Sequence, residues 1–210
     1  MTKIKICGIT NKADACYCAR AGADYLGFVF YEKSPRCVTI NKVRQIVRSL
    51  GVLRPSVQLV GVFVNEKFEK VQKIALSCGL DVLQFHGDEP GTFLKRFKNY
   101  SVIKAFRVKK GVPVKGLGSY EGALFLADTF KKDIFGGTGE VFDWAGLQVF
   151  KKTKKRFIVS GGLTPENVAV LLKRYRPFGV DVSSGVEKSP GRKNHQLVSA
   201  FIKAVKSNDK

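Results

Sequence analysis

Short apolar runs alternate along this chain with longer segments whose apolar residues recur at helical spacing. The runs KIKICGI (3–9), DYLGFVF (24–30), VQLVGVFV (57–64), DVLQFHG (81–87), SVIKAFRV (101–108), GALFLAD (122–128), RFIVSGG (156–162) and FGVDVSSG (178–185) read as strands. Between them, KADACYCARAG (12–22), INKVRQIVRSL (40–50), EKFEKVQKIALSCG (66–79), EPGTFLKRF (89–97), residues 143–152 and TPENVAVLLKRY (164–175) read as helices. In the segment 40–50 the apolar face is Ile40, Val43, Ile46, Val47 and Leu50. Glycine stops close the helices at 12–22 and 66–79, and Thr164 as N-cap with Pro165 behind it opens the helix at 164–175. A last helix runs from about Asn194 to Val205. Segment 109–120 has no clear period, and 129–142 is a glycine-rich loop.

Strands that alternate with helices imply a parallel sheet. Eight such units imply a closed (β/α)8 barrel of the TIM type, here a single domain over residues 1–210. The near-continuous apolar character of the strands fits a sheet covered on both faces. The alternative is an open doubly wound sheet, which would want G-x-G-x-x-G after its first strand; CGITNK is not that motif.

Composition narrows the function classes. No apolar run approaches the ~18–20 residues needed to cross a membrane. Lysines interrupt the first apolar run, so it is not a signal-peptide core, and a cytoplasmic protein is expected. The five cysteines are odd in number and form no C-x-x-C, which argues against a disulfide framework or a zinc site. The formal net charge of +20 fits either a nucleic-acid surface or a solvated surface that attracts anionic metabolites. The lysines are spread along the chain, apart from KKTKKR at 151–156, and no RNP motif, zinc finger or homeodomain pattern is present. Nucleic acid is therefore not expected as the primary partner.

In a barrel the chemistry sits at the C-terminal ends of the strands. Those ends carry Cys7, the loop Ser34-Pro35-Arg36, His86, Arg107, Asp128-Thr129, Ser160-Gly161-Gly162 and Asp181 through Gly185. Gly161-Gly162 ahead of a helix, with Ser183-Ser184-Gly185 beside them, reads as an anion cradle of backbone N–H groups at the usual phosphate position of barrels, or as glycines that permit tight strand-to-helix turns. Asp128 ends an apolar strand, so its carboxylate is either paired, a turn residue, or functional. Arg36 offers a fork for a carboxylate, or is a solvated surface charge. His86 is read equally as a satisfied structural histidine or a substrate contact, and Trp144 as packing against the barrel. The loop with Gly136-Gly137-Thr138-Gly139 is either a lid or an inserted segment. Cys7 reads as a buried core thiol when taken alone. At a strand end facing a carboxylate it reads as a base, yet its flanking residues Ile6 and Gly8 bring no charge to ionise it.

Several segments, in order, resemble the phosphoribosylanthranilate isomerase family: KICGIT (5–10), GFVFYEKSPRCV (27–38), VGVFVN (60–65), LQFHGDE (83–89), IKAFRV (103–108), LADT (126–129), GGTGEVFDW (136–144), SGGLTPENV (160–168) and DVSSGVEKSPGRK (181–193). One departure is Asn194, where the family usually carries an acidic residue; both types cap helices well. The resemblance implies an Amadori rearrangement in tryptophan biosynthesis, on a small phosphorylated aminosugar. It implies Asp128 as general acid, Cys7 as general base, Arg36 on the anthranilate carboxylate, and Gly161, Gly162, Ser184 and Gly185 on the phosphate. Asp181 is implied to contact ribose hydroxyls. No metal or organic cofactor is implied, and the chain is expected to be a monomer or homodimer. Within barrels the alternatives are an indole-glycerol-phosphate synthase, which would want a catalytic lysine at a strand end, and a pentulose-phosphate epimerase, which would want metal-ligating histidines. Only His86 and His195 are available for the latter.

Overall fold

The computed structural model of the protein describes residues 1–108, 116–128, 144–152 and 155–209, and in them the eight apolar runs pair into one closed parallel barrel. Its strands are β1 (Lys3–Cys7), β2 (Tyr25–Val29), β3 (Gln58–Phe63), β4 (Val82–Phe85), β5 (Ser101–Arg107), β6 (Leu124–Asp128), β7 (Phe157–Ser160) and β8 (Gly179–Val182), each hydrogen-bonded to the next. β1 also pairs β8, with Lys5 opposite Asp181, which closes the ring. The helices are α1 (Lys12–Ala21), α2 (Ile40–Leu50), α3 (Phe68–Cys78), α4 (Gly91–Leu94), α5 (Gln148–Lys152), α6 (Val168–Tyr175) and α7 (His195–Ser207). The expected barrel is therefore the observed one.

Side-chain alternation along the strands divides the interior into two cores. Ile4, Ile6, Leu26, Phe28, Leu59, Leu83, Phe85 and Phe125 point outward and pack under the helices. Val60, Val82, Ile103, Ala105, Leu126 and Ile158 point inward and fill the barrel. Parallel strands buried on both faces must be apolar at nearly every position, which is why the runs were legible.

Local chemistry sets most helix ends. Asn11 caps α1 by accepting from the Asp14 N–H, Thr39 caps α2, and Asn194 caps α7 by accepting from Gln196 and Leu197. Gly22 and Gly79 end α1 and α3 in the left-handed conformation.

Two features differ from the sequence reading. α6 starts at Val168, not at Thr164. Asn167 Oδ1 accepts from the Thr164 N–H at 2.9 Å and Asn167 Nδ2 donates to the Gly162 carbonyl at 2.9 Å. With the Asn167 and Val168 N–H groups both donating to the Thr164 carbonyl, these bonds close a turn ahead of the helix. The segment EKSPGRK forms a hairpin, β9 (Glu187–Ser189) and β10 (Arg192–Lys193), around Pro190-Gly191. Strands of two or three polar residues leave no apolar signature. The glycine-rich loop 129–142 lies outside the described residues, as do residues 109–115.

Candidate active site

Moving up the barrel by one alternation exchanges apolar for polar side chains. Ile158 is followed on the inner wall by Ser160, Leu126 by Asp128, and Val82 by Gln84 and then His86. On β1 the inward positions are Lys5 and Cys7, and on β8 Asp181. The inner wall is thus apolar below and chemically equipped at the C-terminal mouth.

Cys7 lies buried at the end of β1. Two glycines give it room and company. A Cβ on Gly27, its partner on β2, would stand 2.8 Å from the Cys7 sulfur, and one on Gly8 would stand 2.6 Å from Arg36 Cδ. Gly8, at φ +77°, therefore lets the Arg36 side chain cross beside the thiol. Burial pushes the Cys7 thiol up; Lys5 pulls it down, Asp181 pushes it further up, and Lys193 pulls it down, with burial prevailing.

Charges absent from the flanking residues are thus supplied by the fold. Lys5 is fully buried, with Nζ 2.9 Å from Asp181 Oδ1. Ser160 Oγ donates to Asp181 Oδ2 at 3.0 Å. Both carboxylate oxygens of Asp181 already hold a protein donor, which ties it first to Lys5 and Ser160 and leaves a ribose hydroxyl only the remaining lone pairs. Lys193 Nζ donates to the Cys7 carbonyl at 2.5 Å, to the Ser183 carbonyl at 3.1 Å and to Glu187 Oε1 at 2.8 Å. It rivets the ends of β1 and β8 to the hairpin.

Arg36 is at the mouth, but one edge of its fork is already in use. Nε donates to Glu187 Oε1 at 2.9 Å and Nη2 to Glu187 Oε2 at 2.6 Å. This bond to Glu187 raises the Arg36 guanidinium above its ordinary value. Burial alone would push Glu187 up, but Arg36 and Lys193 hold it below the usual carboxylate range. A guanidinium has a second edge, made by its two terminal nitrogens, and only that edge remains for an incoming carboxylate.

Across the mouth, His86 Nε2 lies 3.1 Å from Asp128 Oδ2, and Gln84 Nε2 lies 3.1 Å from His86 Nδ1. His86 is therefore first a partner of Asp128. With Gln84 donating to Nδ1, the ring proton is on Nε2 and faces an Asp128 carboxylate. The buried Gln84 Oε1 then has no partner. Turning the amide over puts the proton on Nδ1 and leaves Nε2 to accept from a protonated Asp128. The pair can thus serve either state of the acid.

The two anion loops touch backbone to backbone. A Cβ on Gly185 would overlap the Leu163 carbonyl oxygen. Among the described residues no protein acceptor takes the N–H of Gly162, Ser184 or Gly185. Ser184–Val186 form a single 3-10 turn, whose first N–H groups have no partner within the turn. Because α6 begins only at Val168, the Gly161-Gly162 side of the cradle rests on loop amides and not on a helix end. Gly185→Ala is expected to destabilise by about 1–3 kcal/mol through overpacking and to raise KM for a phosphorylated substrate. Thermal melts and steady-state kinetics check this, and unchanged Tm and KM would mean that the loops can separate.

The order and spacing of these mouth residues run through the whole chain, and the profile of the N-(5'-phosphoribosyl)anthranilate (PRA) isomerase family matches residues 4–204. The chain belongs to the phosphoribosylanthranilate isomerase family. An N-(5'-phosphoribosyl)anthranilate isomerase of Aquifex aeolicus is 45% identical over 208 residues, covering 99% of this chain and 100% of that protein. A phosphoribosyl anthranilate isomerase solved in complex with reduced 1-(o-carboxyphenylamino)-1-deoxyribulose 5-phosphate superposes with a TM-score of 0.83 at 38% identity, covering 99% of this chain and 100% of that one. A structure of mutually generated monomers of the dimeric Thermotoga maritima enzyme gives a TM-score of 0.82 at 37% identity, covering 98% and 99%. Viewed as a phosphoribosylanthranilate isomerase, the chain has its described mouth residues at the C-terminal ends of the strands of one barrel, while Thr129 lies outside the described residues. Its sequence reading missed Lys5, Gln84, Glu187 and Lys193, of which Lys5 alone left a signal: a charge at an inward position of an apolar strand.

Proposed function

We propose that this chain catalyses the Amadori rearrangement of N-(5-phosphoribosyl)anthranilate to 1-(2-carboxyphenylamino)-1-deoxyribulose 5-phosphate, a step of tryptophan biosynthesis. The observation that carries the proposal is that Cys7 and Asp128 stand at the C-terminal ends of β1 and β6, three strands apart around the same barrel mouth, in a chain of this family. Asp128 protonates the furanose ring oxygen and the ring opens to a Schiff base. Cys7 removes the C2′ proton, and the resulting enolamine tautomerises to the ketone. An acid and a base must reach the sugar from different sides for this, and the two strand ends supply them. The substrate's own nitrogen is the electron sink, so the residues need only move protons. Gly161, Gly162, Ser184 and Gly185 take the phosphate, the open edge of Arg36 takes the anthranilate carboxylate, and Asp181 reaches a ribose hydroxyl with a lone pair left free by Lys5. His86 acts on substrate through Asp128.

The relative crystallised with the reduced aminodeoxyribulose phosphate supports this substrate class. The net charge of +20 suits a doubly anionic substrate. The working form is a monomer or homodimer, one barrel per chain. No helix among the described residues is long and apolar enough to cross a membrane, in keeping with the cytoplasmic location proposed here.

The direct test is turnover of freshly generated phosphoribosylanthranilate by the purified chain; no turnover above the uncatalysed rate would overturn the proposal. Arg36→Ala is expected to weaken substrate binding by about 1.5–3 kcal/mol, the cost of a lost charged hydrogen-bond pair. Such a loss raises KM roughly 10- to 100-fold, with kcat less affected. An unchanged KM would mean that Arg36 serves Glu187 alone.

A further inference from the structure

The thiol that must act as a base is buried, and burial works against its ionisation. A thiol of ordinary pKa ~8.5 is only a few per cent thiolate near neutral pH, and a buried one is less so. Something in the barrel has to oppose this, or Cys7 is a weak base.

The groups that face the Cys7 end of β1 come from four elements. Lys5 stands two residues before it on the same inward face of β1. Asp181 faces it from β8, Lys193 from β10, and Arg36 from the loop after β2. Three of these are already committed. Lys193 has its three N–H donors on the Cys7 and Ser183 carbonyls and Glu187, so its charge is directed at backbone and at a carboxylate. Arg36 is neutralised by Glu187. Asp181 is negative and repels a thiolate. Lys5 is different. Its one side-chain hydrogen bond among the described residues goes to Asp181 at 2.9 Å, and it lies on the inward face of β1 that Cys7 shares two residues on. Burial would push Lys5 toward its neutral form, but Asp181 and Cys7 outweigh this and hold it above its ordinary value. A charged ammonium is thus held by Asp181 on the inward face that Cys7 shares, in a place that water does not screen.

We propose that the buried Lys5 ammonium, anchored by its ion pair with Asp181, is a positioning residue that opposes the effect of burial at Cys7 and so raises the share of its reactive thiolate. Asp181 sets how much of the charge on Lys5 the sulfur feels: a stronger pair leaves less for Cys7. The inference rests on the reading of Cys7 as the base, and it concerns the titration of the thiol, which can be read without substrate.

The test is the ultraviolet thiolate titration of Cys7, taken as the difference between each protein and its Cys7→Ser counterpart, for wild type, Lys5→Met, Lys5→Arg and Asp181→Asn. An opposite charge at this range moves a pKa by about 1–3 units. Lys5→Met is expected to move the midpoint up by about one pH unit or more, some tenfold less thiolate at a given pH, and to carry the acid limb of kcat/KM with it. Lys5→Arg keeps the charge and stays near wild type. Asp181→Asn is isosteric, so it serves even if Lys5→Met does not fold. It is expected to shift the midpoint, because Asp181 both repels a thiolate and keeps the buried Lys5 charged. A role of Lys5 in packing alone would lower Tm and leave the midpoints where they are, and unchanged midpoints in Lys5→Met, or in Asp181→Asn if the former is unfolded, overturn the inference. Turnover of Cys7→Ser separates the two readings. If that variant is active while the midpoints move as stated, the base assignment fails and the Lys5 inference stands; if it is inactive while the midpoints do not move, the reverse holds.

Discussion

Cys7→Ser is expected to lower kcat by about 10²–10⁴ while leaving KM within a few-fold of wild type. The substitution exchanges a sulfur for an oxygen in a space that Gly27 keeps open, so the barrel mouth has no reason to rearrange. In the proposed reading, binding is the work of Arg36 and the anion loops, none of which lose a partner. What disappears is the acidity. A serine hydroxyl does not ionise near neutral pH, even beside Lys5, so nothing remains to take the C2′ proton. Steady-state kinetics with freshly generated substrate measures both parameters. A kcat within about threefold of wild type would return Cys7 to the status of core thiol, since general base catalysis is worth far more than that.

Asp128→Asn should cost at least as much, about 10²–10⁴ or more in kcat, again with binding largely kept. The amide has the shape of the carboxyl group and can still meet His86 Nε2, now 3.1 Å from Oδ2. It cannot deliver a proton to the ring oxygen, so the furanose stays closed and the reaction stops before Cys7 is called upon. That order makes a second readout available. A substrate already opened to the Schiff base would bypass the defect in Asp128→Asn but not that in Cys7→Ser. Near wild-type turnover in Asp128→Asn would remove the residue from the acid role and turn attention to His86.

How far these residues were legible depended on what kind of signal each one leaves. The barrel was legible because its strands are buried on both faces and must be apolar almost throughout; runs such as DVLQFHG and RFIVSGG declare themselves without context. The Asn194 cap of α7 was readable for a similar reason, since its side chain acts on backbone groups two and three residues away. The start of α6 was misread because a competing local bond, Asn167 to Thr164, is equally short in sequence and nothing in the pattern ranks the two. The hairpin at Glu187–Lys193 left no pattern at all.

The site divides along the same line. The sequence alone determined the residue types at the strand ends and their order: a thiol, an arginine loop, a histidine, a carboxylate and two glycine loops. Those follow from strand boundaries, which are local. Only the tertiary structure decided which of them act together. Arg36 and Glu187 are 151 residues apart and share a bidentate pair. His86 and Asp128 are 42 apart and share a hydrogen bond. Lys5 and Asp181, 176 apart, meet because β1 and β8 close the ring in register. The energy of a charge depends on what surrounds it at a few ångströms, and sequence distance carries no trace of that until the barrel closes. For that reason the chain read as a string can name Cys7, whereas the fold decides whether Cys7 is a thiol or a base.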